Sequence, residues 1–118
     1  RSYRDLRVWQ KGMILAEDCY RLTAGFPRAE LFAMTSQLRR SAISISANIA
    51  EGYGRDSSGA YLQFLRIAQG SLKELETHLL LSGRLGFASS ADVSLALARC
   101  DALGRMLQAL IRSVERSS

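Results

Sequence analysis

Apolar residues recur every three or four positions in four long runs separated by short breaks. In the first run, Leu6, Trp9, Met13, Ala16 and Tyr20 form one stripe of a helix. Val8, Gly12, Leu15, Cys19 and Leu22 form a second stripe about 100° round from it. This spacing predicts a helix over about residues 5–24, with Asp5 as its N-cap and "AGFPR" as its end. Gly25 can close a helix, and Pro27, the only proline, cannot continue one. The two stripes span nearly half the circumference, more than an outer helix of a lone bundle needs.

The second run contains "QLRRSAISISANIAEGYGR", whose centre alternates with the period of a strand: Ile43, Ser44, Ile45, Ser46. Its flanks keep helical spacing. Leu31, Met34, Leu38, Ala42, Ile45 and Ile49 make the main stripe, with Phe32, Ile43 and Ala50 opposite. The pattern therefore predicts a helix over about 29–53 that is buried on two sides, Ile43 and Ile45 meeting different neighbours. Ser41, Ala42, Ser44, Ser46 and Ala47 are small enough to let another helix approach closely.

A third helix is predicted over about 58–83 from the regular stripe that runs from Tyr61 through Leu65, Leu72 and Leu79 to Ser82. A fourth, over about 91–116, carries Val93, Ala96, Cys100, Leu103, Leu107, Leu110 and Val114 and is capped by Ser90 or Asp92. The fold class that follows is all-α. It is a single-domain, up-down-up-down antiparallel four-helix bundle, roughly 35–40 Å long. The wide face of the first helix, the two-sided second helix and outward Leu62 and Leu80 imply a homo-oligomer.

Composition narrows the picture. A chain of 118 residues, 47% hydrophobic, builds one core and is not disordered. No apolar run approaches the ~18 residues of a membrane span. "RSYRDLRVWQ" also lacks the apolar segment of a signal peptide, so a cytoplasmic protein is expected. Cys19 and Cys100 each stand alone in an apolar stripe, as reduced core thiols do.

Catalytic patterns are missing. His78 is the only histidine and lies four residues after Glu74, the spacing of a helix-surface pair. No Glu-x-x-His occurs to hold two metals. "GYGRDSSG" follows a helix rather than a strand and has no phosphate-loop lysine. No catalytic residue, cofactor or metal is therefore expected. The remaining polar residues read as struts. Glu74 should pair with Arg39 or Arg40 across the bundle, and Glu51 with Arg55 or the following turn. Asn48 should satisfy backbone in that turn or in a neighbouring subunit.

The net charge of +5 comes from 16 basic and 11 acidic residues. Arg66, Lys73 and Arg84 share one outward stripe of the third helix, and Arg105, Arg112 and Arg116 one of the fourth. Such stripes suit sequence-independent contact with RNA or DNA backbone. No aromatic platform accompanies them for stacking bases. The alternative is a protein–protein scaffold whose charges serve solubility.

Four segments carry a family resemblance: "RDLRVWQKG" (4–12), "RLTAGFPRAELF" (21–32), "QLRRSAISISANIAEGYGR" (37–55) and "FLRIAQGSLKELETHL" (64–79). In this order they resemble a bacterial four-helix-bundle family. Its founding members are encoded in intervening sequences of large-subunit ribosomal RNA genes. The likeness covers most of the chain and weakens in the fourth helix. Ala33 stands where a glycine is common and Ser46 where a proline is common, and both should make the second helix more regular. The resemblance implies a ring-like homopentamer. The family's general function is not established. A related branch, the accessory variability protein of diversity-generating retroelements, forms a basic pentameric barrel that binds reverse transcriptase and nucleic acid. By this resemblance the chain is expected to be a non-enzymatic module whose partners are its own copies, nucleic acid or another protein.

Overall fold

A computed structural model describes residues 2–117. It contains four long helices: α1 (Arg7–Thr23), α2 (Met34–Tyr53), α3 (Ser58–Arg84) and α4 (Ser90–Ser117). Short 3-10 turns occupy Tyr3–Asp5 and Arg28–Glu30, and no strand occurs among the described residues.

The second stripe of α1 is the one that faces the core. Val8, Gly12, Leu15, Cys19 and Thr23 are buried, whereas Met13 and Tyr20 of the first stripe remain 41% and 44% exposed. Asp5 is not the helix N-cap, a place taken by Leu6 without a side-chain bond. The Asp5 carboxylate instead accepts the Ser2 N–H at 3.1 Å, while the Ser2 hydroxyl accepts the Arg4 N–H at 3.1 Å. The two residues thus box in the turn that precedes α1.

The start of α2 also departs from the spacing. After the extended Pro27, residues 28–30 turn tightly, and Ala33 has the non-helical angles φ −122° and ψ −107°. The Glu30 carboxylate accepts the Met34 N–H at 3.2 Å, satisfying one of the free donors of the first turn. The helix therefore begins at Met34 rather than near residue 29, and Ala33 interrupts it instead of regularising it. Leu31 and Phe32 drop out of the predicted stripes and stand exposed, Phe32 at 92%.

From Met34 on, the helical reading holds through the alternating segment. Leu38, Ala42, Ile45 and Ile49 are completely buried. The helix packs against α1 on one flank and α3 on the other. Small residues set both seams. Ser46 Oγ donates to the Trp9 carbonyl at 3.1 Å, and a Cβ added at Gly12 would collide with that Oγ. On the α3 side, Ser44 and Ser71 share a 2.8 Å hydroxyl bond. A Cβ at Gly52 would sit 2.6 Å from Phe64 Cβ, so only glycine allows this approach.

The α3 N-terminus is capped by Ser57, which accepts the Ala60 N–H at 3.1 Å. The cap of α4 is Ser89, one residue earlier than expected. Its hydroxyl accepts the Asp92 N–H at 3.1 Å and its carbonyl the Val93 N–H at 3.0 Å, so neither Ser90 nor Asp92 has this role. Along the α3–α4 seam, Arg66 meets Glu115, Gln69 meets Gln108, and Gly83 lies against Val93.

All four helices contribute to one apolar cluster, with Phe26 and Phe87 tilted together at 5.7 Å at one end. Each fully buried leucine or isoleucine contributes about 1.5–3 kcal/mol relative to an exposed one. Helices consecutive in the chain are neighbours, and α1 closes on α4. The result measures 46 × 23 × 20 Å. Leu80 is exposed as expected, but Leu62 is half-buried against the core. No described helix is long and apolar enough to cross a membrane.

Candidate functional site

The six basic residues of the two outward stripes are all exposed, yet they divide into two groups. Three are already neutralised by neighbours. Arg66 donates to Glu115 at 2.6 Å, Lys73 to Glu76 at 3.2 Å, and Arg105 lies 2.9 Å from Asp101. These three line one shallow groove between α3 and α4, together with Gln69 and Gln108, which bond across it at 2.6 Å. Arg84, Arg112 and Arg116 take no acidic partner among the described residues. Arg84 ends α3, whereas Arg112 and Arg116 belong to the last turns of α4. The stripes therefore do not merge into one field of free cations.

A second feature lies between α1 and α2. Trp9, Met13, Ala16 and Tyr20 from α1, with Ile43 and Ala47 from α2, line a groove of about 550 Å³. Ile43 is 45% exposed here. The groove is the structural form of the surplus stripe on the first helix.

Of the polar struts, one pair stands as the sequence reading had it and the others do not. Glu51 does accept from Arg55, at 2.9 Å. Asn48 does not reach the following turn; its amide donates back to the Ser44 carbonyl at 2.8 Å and to Ser44 Oγ at 3.0 Å. The predicted pair of Glu74 with Arg39 or Arg40 does not form. Glu74 lies 3.6 Å from His78 on its own helix. Arg40 is exposed, and Arg39 points to the opposite seam, where its Nε donates to Thr23 Oγ1 at 2.7 Å. The two helices are rotated so that Ser44 and Ser71, rather than charges, meet between them.

Both thiols are free and buried. Burial pushes Cys19 up from 9.0 to about 12, with Asp18 adding to the effect. Cys100 is likewise raised to about 12 by burial, then by Cys19 and Glu76. Thiols held in this protonated form are poor nucleophiles and poor metal ligands. No group of three or more His, Cys, Asp or Glu side chains is placed to hold a metal among the described residues.

Four long helices around one apolar cluster, with an apolar groove between the first two, define an all-helical four-helix protein. The family described as 23S rRNA-intervening sequence protein matches residues 4–109, and the chain belongs to that family. The fold is also that of a crystal structure described as a protein of unknown function from the S23 ribosomal protein family of Bacteroides thetaiotaomicron. The TM-score is 0.79 at 24% identity, over 88% of this chain and 97% of that one. No curated protein matches the chain.

Proposed function

We propose that the chain is a non-enzymatic binding module that works as a homo-oligomer in a bacterial cytoplasm. In this reading, five up-down-up-down antiparallel bundles form a ring whose basic exterior contacts nucleic acid or a nucleoprotein. The observation that carries it is the mainly apolar groove between α1 and α2, where Met13, Tyr20 and Ile43 stand exposed beside Glu17 and Arg21. The descending pairings Arg66–Glu115, Gln69–Gln108 and Gly83–Val93 support an antiparallel course for α3 and α4. A ring uses two different patches on each copy, of which the groove would be the receiving one. Arg112 and Arg116 are the residues best able to meet phosphate, since no carboxylate among the described residues pairs with them.

Sedimentation equilibrium tests the assembly. The expected mass is that of about five 13.0 kDa chains. Ile43→Glu should sediment as one chain with unchanged circular dichroism; a wild-type mass near one chain overturns the reading. For the exterior, Arg112→Gln with Arg116→Gln should lower retention on RNA or DNA and flatten its salt dependence. The self-neutralised trio Arg66, Lys73 and Arg105 favours a second reading, a protein scaffold without nucleic acid. Wild-type protein that fails to bind any nucleic acid at low salt, but retains a protein partner after nuclease treatment, would establish it.

A further inference from the structure

Among the described residues Arg39 makes three polar or ring contacts, none of them with a negative charge. Its Nε donates to Thr23 Oγ1 at 2.7 Å, and a terminal nitrogen donates to the Tyr20 carbonyl at 3.4 Å. Its guanidinium also stacks over the Tyr20 ring, with Cζ 4.3 Å from the centroid. Thr23 is itself anchored, donating to the Cys19 carbonyl at 2.7 Å. A guanidinium carries five N–H donors in a rigid fork, so most of the fork is still free. The cation is thus held in one orientation, partly buried, with charge and donors unspent.

Arg28, which pattern reasoning did not single out, also takes no carboxylate among the described residues. Both arginines line one cavity of about 250 Å³ where α1 passes into α2. Thr35 contributes to its lining, and Phe26, Pro27 and Leu31 supply an apolar wall. Arg84, Arg112 and Arg116 also lack an acidic partner among the described residues, but Arg28 and Arg39 converge on one cavity. Arg21 and Arg99 share the Asp18 carboxylate and Arg55, Arg66 and Arg105 each meet one, whereas the two arginines of this hollow meet none among the described residues.

We propose that this corner binds the phosphate monoester group of a small organic molecule. Two unpaired guanidiniums match the charge of a phosphate dianion, which a singly charged carboxylate does not. The fork geometry suits bidentate contact with its oxygens. The apolar wall accepts a short organic body, and the volume lies below the ~300 Å³ at which pockets for drug-sized ligands begin. This site lies apart from the stripes on α3 and α4 and borders the α1–α2 groove at Tyr20, on which Arg39 stacks; its test reads phosphate binding, which is distinct from the oligomer mass.

The test is titration of the full chain with phenyl phosphate at low ionic strength and about pH 8, followed by calorimetry and by amide chemical shifts. Saturable binding with a Kd below about 1 mM is expected. The Arg28 side chain makes no hydrogen bond or ion pair among the described residues, so Arg28→Gln should keep the melting temperature while weakening binding about tenfold. Arg39→Lys, which retains charge but loses the fork, should weaken it as well. Affinity should fall several-fold on lowering the pH to about 5, because the second phosphate ionisation lies near pH 6. Inorganic phosphate should bind more weakly, having no body to lie on the apolar wall. No saturable binding to wild type up to about 10 mM would overturn the proposal. So would equal affinity in Arg28→Gln, or equal affinity for benzoate. Equal displacement of phenyl phosphate by an oligonucleotide bearing only phosphodiesters would also overturn it, by assigning the corner to nucleic-acid backbone.

Discussion

Gly12 and Ser46 meet where α1 and α2 come closest, and their fit is one of volume. Gly12→Ala should destabilise the protein by about 1–3 kcal/mol, read from the urea midpoint, because the methyl group must displace Ser46 Oγ. The double variant Gly12→Ala with Ser46→Ala should recover part of that loss. Gly70→Ala is the control: a Cβ there meets nothing within 4 Å, and the change should stabilise by up to about 1 kcal/mol through helix propensity. Sequence alone placed Gly12 on a buried stripe but could not name its partner. The same division runs through the polar residues. Glu51 with Arg55 was legible because the geometry of a single helix brings them together. Glu74 with Arg39 was not, because it depended on how two helices are rotated about their own axes, and Arg39 turns toward α1 instead.

Each helix was visible in the chain because 3.6-residue periodicity survives over 17 to 28 residues, even through the alternating Ile43–Ser46 segment. Helix ends were less visible, since they rest on single side-chain bonds. Glu30 holds the Met34 N–H beyond the interruption at Ala33, a bond that apolar spacing does not encode. The spacing offered Ser90 or Asp92 as the cap, and the backbone selects neighbouring Ser89 instead. Ser89→Ala should therefore cost about 1 kcal/mol, seen as a lower melting temperature, whereas Ser90→Ala should cost a few tenths. Equal effects of the two would contradict the assignment.

At the level of the whole molecule, the surplus apolar stripe of the first helix was legible and lines the α1–α2 groove, but composition could not show which cations are already spent. Arg66, Lys73 and Arg105 looked equivalent to Arg84, Arg112 and Arg116 until their acidic neighbours were placed. The core also gives stability a pH dependence. Cys19 and Cys100 stay protonated in the folded chain to about pH 12, while in the unfolded chain they ionise from about pH 9. Above pH 9 the unfolded state therefore binds fewer protons, and stability falls as pH rises toward 12, while it is unaffected by these groups below 9. At about pH 10 the loss should be on the order of 1 kcal/mol per thiol, and an unchanged urea midpoint between pH 8 and 10 would count against it. The same burial gives the protein a built-in clock. Its two thiols lie on the first and last helices and are shut away from water, so a thiol reagent can modify them only while the core is open. The rate of modification then counts those openings one by one, with no label added to the chain.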